Sequence, residues 1–186
     1  MRICLLTFLP FLIFGQNISS TRAFIEKTNT LQINKDWSTI AEFYSGYGES
    51  VKFYPIEVIN LSTKEKIKAV QVDMNIKQGQ TFKLMSQFVG TDEIKSFAEF
   101  IETHVVPNLE VRLKSKSSEY IFEAKEITLS YLIYERTRRI SIRFNNCQVE
   151  DQSANCEKQI SSNYHFWTET NVSNLPLLLP VLYAIK

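Results

Sequence analysis

The chain carries two histidines, His104 and His165, and neither stands in a spacing that assembles a known reactive site. No His-x-x-Glu-His or related metal pattern surrounds them. His104 falls near the C-terminal end of a predicted helix, where a cation complements the helix dipole. His165 sits in Tyr164-His165-Phe166-Trp167, a predicted strand whose alternate residues face opposite sides. Without a dependable base, no serine or cysteine has the partner that would make it a nucleophile. No catalytic residue, metal ligand or cofactor is assigned, and the expectation leans away from an enzyme.

Other chemistry is equally sparse. Gly46-Tyr47-Gly48 lacks the third glycine and the following helix of a dinucleotide loop, so it reads as a turn. Aromatic rings crowd it: Phe43, Tyr44, Tyr47, Phe53 and Tyr54. Either these rings pack in the core, or they form a surface for a sugar, lipid or protein. Tyr44, Tyr47, Tyr54, His165 and Trp167 are the candidate ligand contacts. Glu119 and Glu123 share a strand face by parity, with Glu126 nearby. A glycosidase needs two such carboxylates across a cleft, whereas a solvated strand face needs no further explanation. Lys64, Lys66 and Lys68, and again Arg136, Arg138, Arg139 and Arg143, fall at predicted hairpin tips. Lysines there guard a sheet against edge association; an anionic partner is the alternative.

Cys147 and Cys156 remain once Cys4 is assigned to the leader described below, and an even pair in an exported chain predicts a disulfide. Closing that ten-residue loop is worth about 2.7 kcal/mol by the chain-entropy account. A redox pair favours Cys-x-x-Cys and a zinc site about four ligands, so the structural bridge is expected.

The elements that must position these residues follow from periodicity. Alternation at Val70, Val72, Met74 and Ile76, and at Ile140, Ile142 and Phe144, predicts strands with one buried face. Leu109, Val111 and Leu113 predict another. Tyr120 to Tyr134 reads as one strand bent near Lys125-Glu126 or as two in succession. Short turns at Ser62–Glu65, Gln78–Gln80, Lys114–Ser118 and Glu135–Thr137 predict antiparallel hairpins. Ile94, Phe97, Ala98, Ile101 and Val105 form a helical stripe, with Thr91 as N-cap and Pro107 as the stop. A second helix is predicted over Lys35 to Phe43. The apolar C-terminal run, Leu175 to Ile185, is expected to dock on the core rather than stand exposed. The fold class is α+β: one antiparallel meander sheet of about six to nine strands, with one main helix on a face. A half-closed β-barrel is the alternative.

The first residues organise the functional expectation. Met1 and Arg2 give a positive start, Ile3 to Phe14 an apolar run, and Gly15 a small residue before a polar stretch. The run is far short of the ~20 residues that span a bilayer. Residues 1–16 read as a cleavable signal peptide and resemble the leader of a Gram-negative exported protein. Residues 17–186 are then one domain, with 20 basic residues (21 less Arg2) against 20 acidic. That balance argues against nucleic acid as a partner. The expected protein is exported to the periplasm or beyond, lacks a transmembrane anchor, and is a non-enzymatic binding or interaction domain. Its partner would be an envelope protein, glycan or lipid. The alternatives are a carrier of an apolar or amphipathic ligand between sheet and helix, and a small hydrolase with scattered catalytic residues.

Overall fold

Val70, Val72, Met74 and Ile76 are fully or almost fully buried and mark β4 (Lys66–Gln78), the strand around which the first sheet is laid. The structure, a computed structural model, describes residues 18–145 and 164–185. The expected leader and the predicted Cys147–Cys156 bridge lie outside the described residues.

β4 is flanked by β3 (Ser50–Asn60) and β5 (Thr81–Gly90), both antiparallel. The free edge of β3 is shared by two short strands. β2 (Ala41–Tyr44) pairs with its first half and β1 (Leu31–Lys35) with its second. Pro55 stands at the changeover, where a missing N–H costs no ladder bond, and its carbonyl accepts from the Asp36 amide at 3.0 Å.

The helix expected over Lys35 to Phe43 is therefore absent. Ala41 and Phe43 are fully buried while Tyr44 is 48% exposed, a period of two, and Trp37, expected on the buried helical side, is 57% exposed. Asp36 also turns the chain locally, accepting from the Ser38 amide at 2.9 Å and its hydroxyl at 2.6 Å.

The main helix follows β5. α2 (Thr91–Phe100) continues as a π-helical turn, Ile101–Val105, and a 3-10 turn, Val106–Asn108, that contains Pro107. Its cap is Gly90 rather than Thr91. A Cβ on Gly90 would come within 2.6 Å of the Ser20 hydroxyl and 2.5 Å of the Asp92 carboxylate, so a larger residue there would push both side chains aside.

The chain then builds a second antiparallel sheet: β6 (Ser117–Glu123), β7 (Ile127–Tyr134), β8 (Thr137–Phe144) and β9 (His165–Thr168), paired in that order. Tyr120 to Tyr134 is thus two strands folded back at Lys125-Glu126. Leu109 to Leu113 forms no strand. Its amides bond locally, Leu109 to Val106 and Val111 to Asn108, and the Leu113 amide donates to the Glu135 carbonyl across the β7–β8 turn.

The class is α+β as expected, but the strands are divided between two meander sheets, and neither closes into a barrel. The stripe of α2 packs on both. The Phe97 ring lies 6.5 Å from Phe53 of the first sheet and stacks at 4.5 Å on Phe122 of the second. Ile101 and Val105 continue this core, which is filled by Val72, Met74, Ile142 and Phe144. Each such side chain contributes roughly 1.5–3 kcal/mol by leaving water.

The C-terminal run docks here as well. A 3-10 segment, Val172–Leu177, leads into α3 (Leu178–Tyr183), with Leu175, Leu178, Val181 and Leu182 fully buried. Pro180 is tolerated in the first turn of α3, where amides lack an intrahelical acceptor. Among the described residues no helix is long and apolar enough to cross a membrane.

A smaller apolar cluster lies on the opposite face of the first sheet. Tyr54, Ile56, Val58, Ala69 and Phe88 are covered there by Phe24 and Ile25 of α1 (Ser20–Glu26). Glu126 ties the three parts together. Fully buried, it accepts from the Ser19 amide (3.0 Å) and hydroxyl (2.6 Å), the Arg22 guanidinium (2.8 Å) and the Phe88 amide (3.0 Å). The neighbouring Lys125 amide donates to Glu93 at 2.6 Å, and its ammonium pairs with Asp92 at 2.7 Å.

Candidate functional site

Pairing register alone lays out the outer face of the second sheet. Opposed residues in an antiparallel ladder share a face, so Glu123, Thr128, Arg143 and His165 form one row across all four strands. Ile121, Ser130, Ser141 and Trp167 form the next. Their strand neighbours, Phe122, Leu129, Ile142 and Phe166, point inward to the core. The alternation that builds the core thereby puts acids, hydroxyls, a guanidinium and an imidazole together on the other side.

All of these outer-face residues but Trp167 line an open groove of about 410 Å³, together with Glu119. Ser141 Oγ and His165 Nε2 are hydrogen-bonded at 2.5 Å, and Thr128 donates to Asn145 at 2.6 Å. Among the described residues, Glu119, Glu123, Ser130 and Arg143 make no side-chain hydrogen bond. Partial burial holds the His165 imidazole below its ordinary pKa of 6.5; the Arg143 charge adds to this and Glu49 opposes it. His165 is therefore a neutral imidazole near pH 7, able to donate from one nitrogen and accept at the other.

Aromatic side chains stand at the β9 end. Trp167, 38% exposed, has the Arg139 guanidinium 4.7 Å over its ring and Tyr47 edge-on at 6.5 Å. Arg139 is held in turn by Glu169 at 2.6 Å. Tyr47, 69% exposed, comes from the β2–β3 turn, where Gly48 takes a φ of +80°. The Thr170 hydroxyl donates to the Tyr44 carbonyl at 3.2 Å, which fixes this turn beside β9.

The five candidate contacts thus divide. His165 lines the groove, and Trp167, paired with Ser141 in the next row, meets Tyr47 beside it. Tyr44 lies on the adjoining strand, its hydroxyl bonded to Glu42, which raises its pKa. Tyr54 is elsewhere: it has no exposed surface and lies on the first sheet, donating to Asp73 at 2.5 Å. The other histidine, His104, stacks on Tyr120 and lies tilted against Phe100, each 5.9 Å away.

The residues that sequence reasoning passed over are Ser130, Ser141 and, as a groove residue, Arg143. Parity within β7 and β8 carried the signal, but only the pairing register joins those strands to β6 and β9. Among the described residues no three His, Cys, Asp or Glu side chains are grouped to hold a metal. No family model, curated protein or solved structure matches the chain.

Proposed function

We propose that the chain is an exported binding domain of the cell envelope or extracellular space, and that it holds its partner on the outer face of β6–β9. One observation carries this reading: Glu119, Glu123, Ser130 and Arg143 turn their polar groups to an open groove instead of to each other. Polar groups that converge on a concavity without pairing are the usual furniture of a binding site. The interior between α2 and the sheets is packed with side chains, which favours this outer face over an enclosed apolar site for a carried ligand.

The Ser141–His165 bond raises a second reading, a hydrolase with serine as nucleophile. Two features weigh against it. Among the described residues no carboxylate is bonded to His165 to orient it. Ser141 also lies mid-strand in β8, which is paired on both sides, so its own amide belongs to the ladders and is not offered to an oxyanion. Glu119 and Glu123 do not make a glycosidase pair, since four residues of strand separate their Cα atoms by about 13 Å.

The test is sedimentation of the protein with envelope material from its source cells. Ser130→Arg, which fills the groove, should abolish co-sedimentation, while Trp37→Ala on the first sheet should leave it intact. Equal retention of both variants would refute a binding role for this face. Ester turnover abolished by Ser141→Ala would replace the binding reading with the hydrolase.

A further inference from the structure

Resting on that reading of the groove, we infer that its ligand is a neutral glycan chain lying across the strands, one sugar ring over each strand. The first argument is charge. Among the described residues, Glu119 and Glu123 face one guanidinium without a hydrogen-bond partner, Arg143, because Arg139 is already bonded to Glu169 through two nitrogens, at 3.1 and 2.6 Å. Such a face repels polyanions and offers no cluster of one sign to a charged headgroup. It suits a partner rich in donors and acceptors but without net charge.

The second argument is the kind of polar group. Carboxylates accept from two hydroxyls at once, a guanidinium donates to several, and serine hydroxyls and a neutral imidazole do both. Vicinal hydroxyls are the ligand groups that satisfy such a mixture, and bonds to the charged members are the stronger ones. The third is spacing. Neighbouring strands lie about 4.8 Å apart, close to the advance of one pyranose along a chain, so the row Ile121–Ser130–Ser141–Trp167 presents side chains ring by ring. That row is apolar at both ends. Arg139 lies over the Trp167 indole and Tyr47 stands edge-on to it, yet the ring stays 38% exposed, an apolar surface for the C–H side of a terminal sugar.

Trp167 reports on its own site. The chain has only one other tryptophan, Trp37, which lies tilted on Tyr54 of the first sheet at 4.5 Å. In a Trp37→Phe background, emission is followed while cellotriose, chitotriose, mannotriose or maltotriose is added. At least one should give a saturable change, weakened roughly tenfold by Glu123→Ala, the loss expected for a hydrogen bond to a charged group. The companion measurement is co-sedimentation with envelope material pretreated either with periodate, which cleaves vicinal diols, or with protease. Loss after periodate and not after protease supports the glycan.

A trisaccharide whose affinity is indifferent to Glu123→Ala would overturn the placement. No response to any trisaccharide, with co-sedimentation lost after protease, would overturn the glycan while leaving the groove as a protein-binding face. Co-sedimentation indifferent to Ser130→Arg would bring down both.

Discussion

The two sheets treat their outer faces in opposite ways. On the first, one end is covered by α1 and the polar side chains satisfy one another. Asp73 alone accepts from Tyr54 (2.5 Å), Ser86 (2.6 Å) and Gln71 (2.7 Å). The Lys35 ammonium then closes over the Trp37 and Tyr54 rings. On the second sheet, similar residue types stand over an open groove with few bonds among them. A closed network holds structure in place, and an open one is free to meet a ligand. Composition does not separate the two cases; hydrogen-bond pairing does.

The largest test of that distinction is at the seam. Glu126→Ala would strand the Arg22 charge and leave the Ser19 and Phe88 amides without an acceptor in a buried site. Removing one partner of a buried pair costs about 3–5 kcal/mol. Urea or guanidinium unfolding should register a loss of that size, and a change under about 1 kcal/mol would mean the seam is not what joins the sheets.

A paired experiment sharpens the contrast itself. Asp73→Ala breaks a closed network and should destabilise by about 1–3 kcal/mol. Glu123→Ala, an acid of the open groove, should stay within about 0.5 kcal/mol. Equal losses in the two variants would erase the difference drawn between the faces.

The smallest effect concerns His165. Its folded pKa lies below the ordinary 6.5, so its neutral form is favoured in the fold. That contribution to stability is present above the unfolded pKa and fades as pH falls through the folded one. An NMR titration should place the His165 midpoint below 6.5, and Arg143→Gln should move it upward. A midpoint at or above 6.5 would mean the groove neither desolvates the imidazole nor brings a cation to it.

Elements with strong periodicity were legible from sequence. Val70 to Ile76 and Ile140 to Phe144 alternate because one face is core, and the stripe from Ile94 to Val105 is helical because it covers both sheets. Trp37 misled the reading of Lys35 to Phe43: a large ring suggests a buried helical face, yet it lies outside on Tyr54. Leu109 and Leu113 alternate and reach the core, but the chain there finds no ladder partner. The groove was legible only in fragments. Glu119 with Glu123, and His165 with Trp167, could be placed on common faces within their own strands, while Ser130 and Ser141 carry no signal until register aligns four strands. Glu126 was visible only as one acid among three, because its importance lies in partners as far as 107 residues away.

That separation has a consequence for the order of assembly. Ser19 and Arg22 emerge early from the ribosome, whereas the carboxylate that receives them comes 107 and 104 residues later. Local hairpins such as β3–β4 can close while the chain is still growing, but α1 has no permanent berth until the β6–β7 hairpin exists. Contacts of such long range are slow to form, since a large loop must close before any bond rewards it. The segment Ser19–Arg22 is then made well before the hairpin that holds it, and it closes on the two sheets as a latch.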